Sequence, residues 1–118
     1  MATATSSRLL TLDAFREAQT RIRGVAARTP LVRLLHPDNA AAEVWVKAEG
    51  LQPVGSFKLR GAYNKIVQLT PAERSRGVIT YSSGNHAQGV AYAARAVGAK
   101  AVIVMPSNAP EEIGRAHV

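Results

Sequence analysis

Hydrophobic residues near the amino terminus recur at intervals of three and four positions, which is typical of an amphipathic helix with one apolar face. A threonine before the series suits the N-cap position, and a glycine after it suits the helix end. The pattern predicts a helix from Thr11 to about Gly24, with an apolar face made of Leu12, Phe15, Ala18, Ile22 and Val25.

The period then changes to two, which indicates a β-strand. In "EVWVKAE", residues 43–49, Val44 and Val46 lie on one face while Trp45 and Lys47 lie on the other. In the preceding "RTPL", the proline restricts the threonine before it to an extended conformation. The sequence "HPDNAAAE" between the two segments predicts a loop or hairpin turn.

A second helical pattern follows the glycine- and proline-containing segment 50–55. We expect Ser56 to cap this helix. Gly61 lies inside it and costs about 1 kcal/mol relative to alanine, so we expect a neighbouring group of some kind to approach its backbone closely. The predicted buried stripe consists of Leu59, Ala62, Tyr63, Ile66 and Val67.

The second half of the chain predicts a strand, a helix and a second strand in quick succession. "TPAE" at 70–73 is a capping box for a short helix that Gly77 ends. A strand at 78–81, a polar loop, a helix at 86–97 and a strand at 101–104 then indicate a parallel, right-handed crossover. The predicted fold class is α/β, and Gly98 is the expected C-cap of the crossover helix.

Composition excludes several classes of site. With 118 residues, 47% of them hydrophobic, the chain can form one small domain with a buried core. It contains no cysteine, which excludes disulfides, thiolate metal ligands and a thiol nucleophile. The three histidines, His36, His86 and His117, are scattered, so we expect no metal site. No stretch approaches the roughly 20 apolar residues of a membrane span, and we expect a cytoplasmic protein without a membrane partner.

The net charge of +7 allows one alternative class, a basic nucleic-acid-binding module. The arginines of the first third, however, have neither an aromatic platform nor zinc-finger spacing. A solvated cationic face explains them better, and we expect no nucleic-acid partner.

Two segments could carry chemistry. "SSGNHAQG", residues 82–89, stands where the first strand of the crossover meets its helix, a place where free amides and the helix dipole attract anions. An ordinary N-cap with a turn glycine is the alternative. Lys58 is either a solvated surface charge or a reactive amine, and Arg60 either pairs with Glu49 or faces water.

Together the two segments are more specific than either alone. "KAEGLQPVGSFKLRGA" followed by "TYSSGNHAQGVAYAARAVGAKAVIVMP" closely resembles the threonine/serine dehydratase and serine racemase family, the fold-type II pyridoxal-phosphate enzymes with a tryptophan synthase beta-like fold. The resemblance runs from about Leu12 to Pro110 and includes "RTPL".

The resemblance implies a pyridoxal 5'-phosphate cofactor and a role for each motif residue. Lys58 would form the Schiff base with the cofactor and later remove the Cα proton of the substrate. Phe57 would lie beside the cofactor ring, and Asn85 would donate a hydrogen bond to the ring oxygen. The substrate carboxylate would be bound by Ser82, Ser83, Gly84, Asn85 and His86.

The family resemblance leaves two activities open. A dehydratase, or ammonia-lyase, would convert L-threonine or L-serine into a 2-oxo acid and ammonia. A serine racemase with dehydratase side activity is the alternative, since in racemase-like members the serine matching Ser83 protonates the opposite face of the carbanion. The full-length protein would be a homo-oligomer.

The resemblance also predicts the domain organisation. Residues 1–68 would be the amino-terminal part of the large domain, including the Schiff-base lysine helix, and residues 69–110 the first half of the small domain. Members of the family are much longer, and their glycine-rich phosphate loop lies in the part that follows these motifs. We therefore expect this chain to be a truncated, inactive fragment of low stability. Residues 111–118 would be a non-native tail, because residues 112–118 can be back-translated into codons that resemble a sequencing adaptor.

Overall fold

The computed structural model describes residues 10–35 and 43–111, which form four α-helices, four strands and one 3-10 turn. In chain order these are helix α1 (Leu12–Arg21), strands β1 (Leu31–Leu34) and β2 (Val44–Lys47), the 3-10 turn Glu49–Leu51, helices α2 (Lys58–Ile66) and α3 (Pro71–Arg76), strand β3 (Val78–Tyr81), helix α4 (Asn85–Ala96) and strand β4 (Ala101–Val104).

Helix α1 begins where the sequence predicts. The hydroxyl of Thr11 accepts a hydrogen bond from the amide of Ala14 at 3.2 Å, which satisfies one of the free donors of the first turn. Its last helical residue is Arg21, three positions before Gly24, which takes a left-handed φ of 83°. The apolar residues Leu12 and Phe15 stay exposed in the described part of the chain.

The first two strands pair with each other. Strands β1 and β2 are antiparallel, with Leu31 opposite Lys47 and Leu34 opposite Val44. The antiparallel register fits the predicted hairpin, but the predicted turn itself falls mainly on 36–42, outside the described residues.

The predicted parallel pairing and the helix that connects the two strands are confirmed. Strands β3 and β4 are parallel, with Val78 opposite Ala101, and α4 connects them. Gly77 ends α3 with a φ of 84°, and a Cβ there would lie 2.8 Å from the carbonyl oxygen of Lys100. The capping box that starts α3 is also present. The fold class is therefore α/β.

Two expectations for α2 are wrong. Ser56 does not cap the helix, because Phe57 occupies the N-cap position with a helical backbone, and no side chain caps that end. Turns and bends lead into the helix over 53–57, and the buried Ser56 hydroxyl has no hydrogen-bond partner in the described structure. Among the described residues, no atom outside the neighbouring backbone of its own helix lies within 4 Å of the place where a Cβ of Gly61 would stand.

The core lies between two helices. As predicted, α2 buries Leu59, Ala62 and Ile66, while Tyr63 and Val67 are only partly covered. They pack against a face of α4 made of Val90, Ala93 and Ala94. Because most of these residues are small, the two helices approach closely, and this packing positions the residues discussed next.

Candidate active site

Lys58 is the first residue of α2, and its side chain is half-buried. Its Nζ lies 4.9 Å from the centre of the Phe57 ring, within the range of a cation–π contact. The Phe57 side chain is 57% exposed, so the ring keeps a free face. An amine and an open aromatic face thus stand side by side at the start of this helix.

A glycine of α4 lies directly against the backbone of Lys58. A Cβ on Gly89 would stand 3.0 Å from the carbonyl carbon of Lys58 and 3.2 Å from the amide nitrogen of Leu59. Those neighbours are backbone atoms, which cannot move aside as a flexible side chain can. Gly89 therefore allows the lysine helix and the first turns of α4 to pack together.

The loop before α4 leaves the helix start without a side-chain cap. The amide of Ser82 still bonds the carbonyl of Val104 at 3.0 Å, and the Ser82 hydroxyl accepts a hydrogen bond from the amide of Gly84 at 3.2 Å. Gly84 is the N-cap residue, and in the part of the chain that the structure describes no side chain caps the helix amides. The amides of Asn85 and His86 have no partner inside the helix, because these are its first two residues. The ordinary Ser/Asn cap is thus not what forms here.

A cleft of about 600 Å³ opens at the carboxyl ends of the parallel strands. It brings Ser82 and Ser83 together with apolar neighbours, whereas Lys58, Phe57 and Asn85 do not line it. The lining residues are Tyr81, Ser82, Ser83, Val104, Met105 and Pro106. The loop therefore offers hydroxyls to a space large enough for a small molecule.

His86 is tied to the neighbouring strand. Its Nε2 lies 3.1 Å from the hydroxyl of Thr80, and its side chain is exposed. Among residues 10–35 and 43–111 no three His, Cys, Asp or Glu side chains cluster as metal ligands would. His36 and His117 lie outside this part of the chain.

Arg60 pairs with Glu49. The guanidinium donates from Nε to Oε2 at 2.9 Å and from a terminal nitrogen to Oε1 at 2.7 Å. The Thr29 hydroxyl and the Gln52 amide also donate to this carboxylate, at 2.5 and 3.1 Å. The Arg60 hydrogen bond is the main reason that the pKa of Glu49 falls to about 2, although burial opposes the shift.

Sequence reasoning missed two features of this region, the close approach at Gly89 and the organisation around Glu49. A signal for Gly89 was present, since glycine inside a helix is unfavourable and often marks a close contact. Choosing between Gly61 and Gly89 requires knowing which face of each helix meets the other.

Comparison with known proteins identifies the class. Residues 22–116 match the family model described as pyridoxal-phosphate dependent enzyme, and the chain belongs to this family.

Individual relatives narrow the resemblance. The chain is 48% identical over 103 residues to the L-threonine ammonia-lyase of Thermotoga maritima, covering 86% of this chain and 26% of that protein. Among solved structures it is similar to threonine deaminase isoform 2 from Solanum lycopersicum (38% identity, TM-score 0.74, covering 91% of this chain and 31% of that one). It is also similar to the serine racemase of Dictyostelium discoideum (38% identity, TM-score 0.79, covering 91% and 35%). The chain thus spans about a quarter to a third of these relatives.

The described residues fit one part of the family's cofactor. Pyridoxal phosphate carries an aldehyde, which needs an amine, and a flat ring, which needs an apolar neighbour; Lys58 and Phe57 offer both side by side. The buried Ser56 hydroxyl has no hydrogen-bond partner among these residues. No two glycines of the sequence lie closer than five positions apart, so none of its segments is glycine-rich. No helix in the described ranges is long and apolar enough to cross a membrane.

Proposed function

We propose that this chain is part of a pyridoxal-phosphate-dependent ammonia-lyase that converts L-threonine or L-serine into a 2-oxo acid and ammonia. The observation that carries the proposal is the packing of α2 against α4 at Gly89. It brings the helix that begins with Lys58 against the helix that begins with free amides. The 48% sequence identity to the L-threonine ammonia-lyase of Thermotoga maritima supports the same activity.

The residues would share the work as follows. Lys58 would hold the cofactor through its amine, Phe57 would lie beside the ring, and Asn85 would hydrogen-bond the ring oxygen. When bound, pyridoxal phosphate supplies an electron-withdrawing ring that stabilises negative charge at the substrate Cα. Lys58 Nζ, once released, would accept the Cα proton.

The loop before α4 would orient the substrate. Hydroxyls of Ser82 and Ser83 and the amides of Asn85 and His86 would bind the substrate carboxylate, since the amides at a helix start donate to anions and the dipole favours negative charge. Gly84, whose amide donates to Ser82, would shape the loop around the carboxylate. Holding the carboxylate there would fix the Cα–H bond relative to the Lys58 amine.

Residues 1–68 would belong to the large domain and residues 69–110 to the small domain, with 111–118 a non-native tail. The two separate sheets, β1–β2 and β3–β4, lie on either side of this division, while α2 and α4 pack together across it. We propose a cytoplasmic homo-oligomer for the complete protein.

Serine racemase activity is the second candidate. Ser83 supports it, because its side chain is exposed and lines the cleft, where a hydroxyl could donate a proton. Solved structures of serine racemases are also among the similar folds.

The test uses the complete protein that carries this chain, with Lys58→Ala and, as a control on the same helix, Lys65→Ala. Borohydride should trap the cofactor on the Lys58 peptide of the unchanged protein and of the control, as read by mass spectrometry. Lys58→Ala should lose the trapped mass, and its turnover of L-threonine should fall about 1,000-fold or more, because tether and base are lost together. Chiral analysis of the L-serine reaction separates 2-oxo acid from D-serine.

Full trapping and turnover in Lys58→Ala would refute the assignment. D-serine as the main product would favour the racemase.

A further inference from the structure

The start of α2 is not held by a local cap. Phe57 stands at the N-cap with a helical backbone, and within residues 10–35 and 43–111 no side chain caps the first amides. The hydroxyl of Ser56 is buried without a partner in the described structure. Capping normally sets the direction of a first helical turn, so contacts from elsewhere must hold this one.

Arg60 makes such a contact from the first turn itself. Its guanidinium forms two parallel hydrogen bonds to Glu49, and a terminal nitrogen also donates to the carbonyl of Ala27 at 3.0 Å. The side chains of Arg60 and Glu49 are only 30% and 17% exposed. A forked, partly buried pair of this kind restricts orientation as well as distance.

The acceptor side of this contact is fixed in turn. Gln52 donates to Glu49 and also binds both backbone groups of Ala27, accepting from its amide at 2.8 Å and donating to its carbonyl at 2.9 Å. Thr29 and Gln52 are buried, at 6% and 4% exposure. Arg60 is thus attached to a point that the neighbouring segments hold in place.

Contacts on two sides therefore hold the first turn of α2. Arg60 follows Lys58 by two positions, which is about 200° around an α-helix, so the two side chains leave it on nearly opposite sides. On the α4 side, a Cβ on Gly89 would stand 3.0 to 3.2 Å from backbone atoms of Lys58 and Leu59, so only glycine leaves room for this close approach. Once both contacts are made, they restrict the rotation and the translation of the first turn of α2.

We propose that Arg60, held by Glu49, is a positioning residue that fixes the first turn of α2 and thereby the direction of the Lys58 amine. The inference rests on the proposed function, in which that amine carries the cofactor. Arg60 itself touches neither substrate nor cofactor in this role.

The test compares Arg60→Lys with Arg16→Lys in the complete protein. Arg60→Lys keeps the positive charge but removes the forked guanidinium. Arg16→Lys is the control, because Arg16 pairs with Asp13 at the surface, where the two side chains are 66% and 81% exposed. The first measurement is the rate at which pyridoxal phosphate, added to cofactor-free protein, becomes trappable on Lys58 by borohydride. Melting temperature, kcat and KM are measured on the same samples.

We expect Arg60→Lys to slow trapping and to lower kcat by roughly 10-fold or more with little change in KM, because small misplacements of a reactive group cost large factors in rate. Arg16→Lys should leave all four quantities unchanged. Glu49→Gln keeps the shape of the acceptor but weakens its hydrogen bonds with Arg60, so it should also slow trapping.

Wild-type trapping rates in folded Arg60→Lys, even with a lower melting temperature, would overturn the positioning role and leave only a structural one. If Arg60→Lys does not fold, the trapping rate of Glu49→Gln becomes the deciding measurement. Failure of the unchanged protein to trap cofactor on Lys58 would instead refute the proposed function, and with it this inference.

Discussion

At the scale of single residues, the carboxylate of Glu49 is a charged group surrounded by hydrogen-bond donors. Three side chains donate hydrogen bonds to it, from Arg60, Thr29 and Gln52, and its side chain is largely buried. Protonation would remove the charge that these donors satisfy. The local structure is therefore coupled to pH through this one residue.

We predict that Glu49 makes stability fall in acid. Its pKa is about 2 in the folded chain against an ordinary value of 4.5, so the unfolded chain binds more protons between these values and stability rises with pH. The contribution is complete above about pH 5.5 and is lost as the pH falls toward about 2. Glu49→Gln should cost about 2 kcal/mol at pH 7, since it weakens a charge-assisted, partly buried cluster.

Melting temperatures of the complete protein and of Glu49→Gln, measured from about pH 7 to about pH 2.5, check this. The two curves should converge as the pH falls. The pKa of Glu73 is also lowered, by its capping hydrogen bonds with Thr70. This effect is present in both proteins, so it cancels when their curves are compared. Parallel curves would contradict the role given to Glu49.

At the scale of elements, the contact between α2 and α4 is the main structural feature. The buried stripe of α2 meets small residues of α4, and Gly89 lets the two backbones nearly touch. Small residues at such positions allow close packing without voids. The same contact brings together the two sequence motifs on which the proposed function rests.

We predict opposite effects for two glycine substitutions. Gly89→Ala places a Cβ 3.0 Å from the Lys58 carbonyl carbon, which forces the helices apart and should cost about 1 to 3 kcal/mol. Gly61→Ala meets nothing within 4 Å and should stabilise α2 by about 0.5 to 1 kcal/mol through helix propensity.

Urea unfolding of the complete protein with each substitution gives both free energies. Gly89→Ala should also reduce borohydride trapping on Lys58, because the helix start moves. Equal effects of the two substitutions would show that the close approach does not constrain the helices.

At the scale of the whole molecule, the described residues leave much apolar surface uncovered. Parallel strands are normally covered on both faces, yet β3 and β4 expose Ile79, Tyr81, Val102 and Val104. The β1–β2 pair likewise exposes Leu31 and Trp45. Surfaces of this kind attract other apolar surfaces.

We predict that the isolated 118-residue chain self-associates and lacks lyase activity. Exposed apolar strand faces and unpaired strand edges favour association between copies. Sedimentation velocity should show species larger than a monomer, and the dye ANS should fluoresce several-fold more per chain than with the complete protein. A monomer with a sharp, cooperative melting transition would contradict this expectation.

Much of the local structure could be read from the sequence, because its causes lie within a few residues. The Thr11 cap, the capping box at Thr70 and the end of α3 at Gly77 each depend on one side chain and its nearest amides. Strands β3 and β4 and the helix between them followed from period and spacing alone. The resemblance to the family followed from two motifs and their order.

Tertiary structure decided which of these pieces touch. No periodicity shows that Gly89, and not Gly61, meets the other helix, because both stand inside helical patterns. The cluster around Glu49 joins residues that lie up to 33 positions apart in the chain, such as Ala27 and Arg60. Propensities and caps act between near neighbours, whereas these contacts exist only after the helices have packed, and that packing is what positions Lys58.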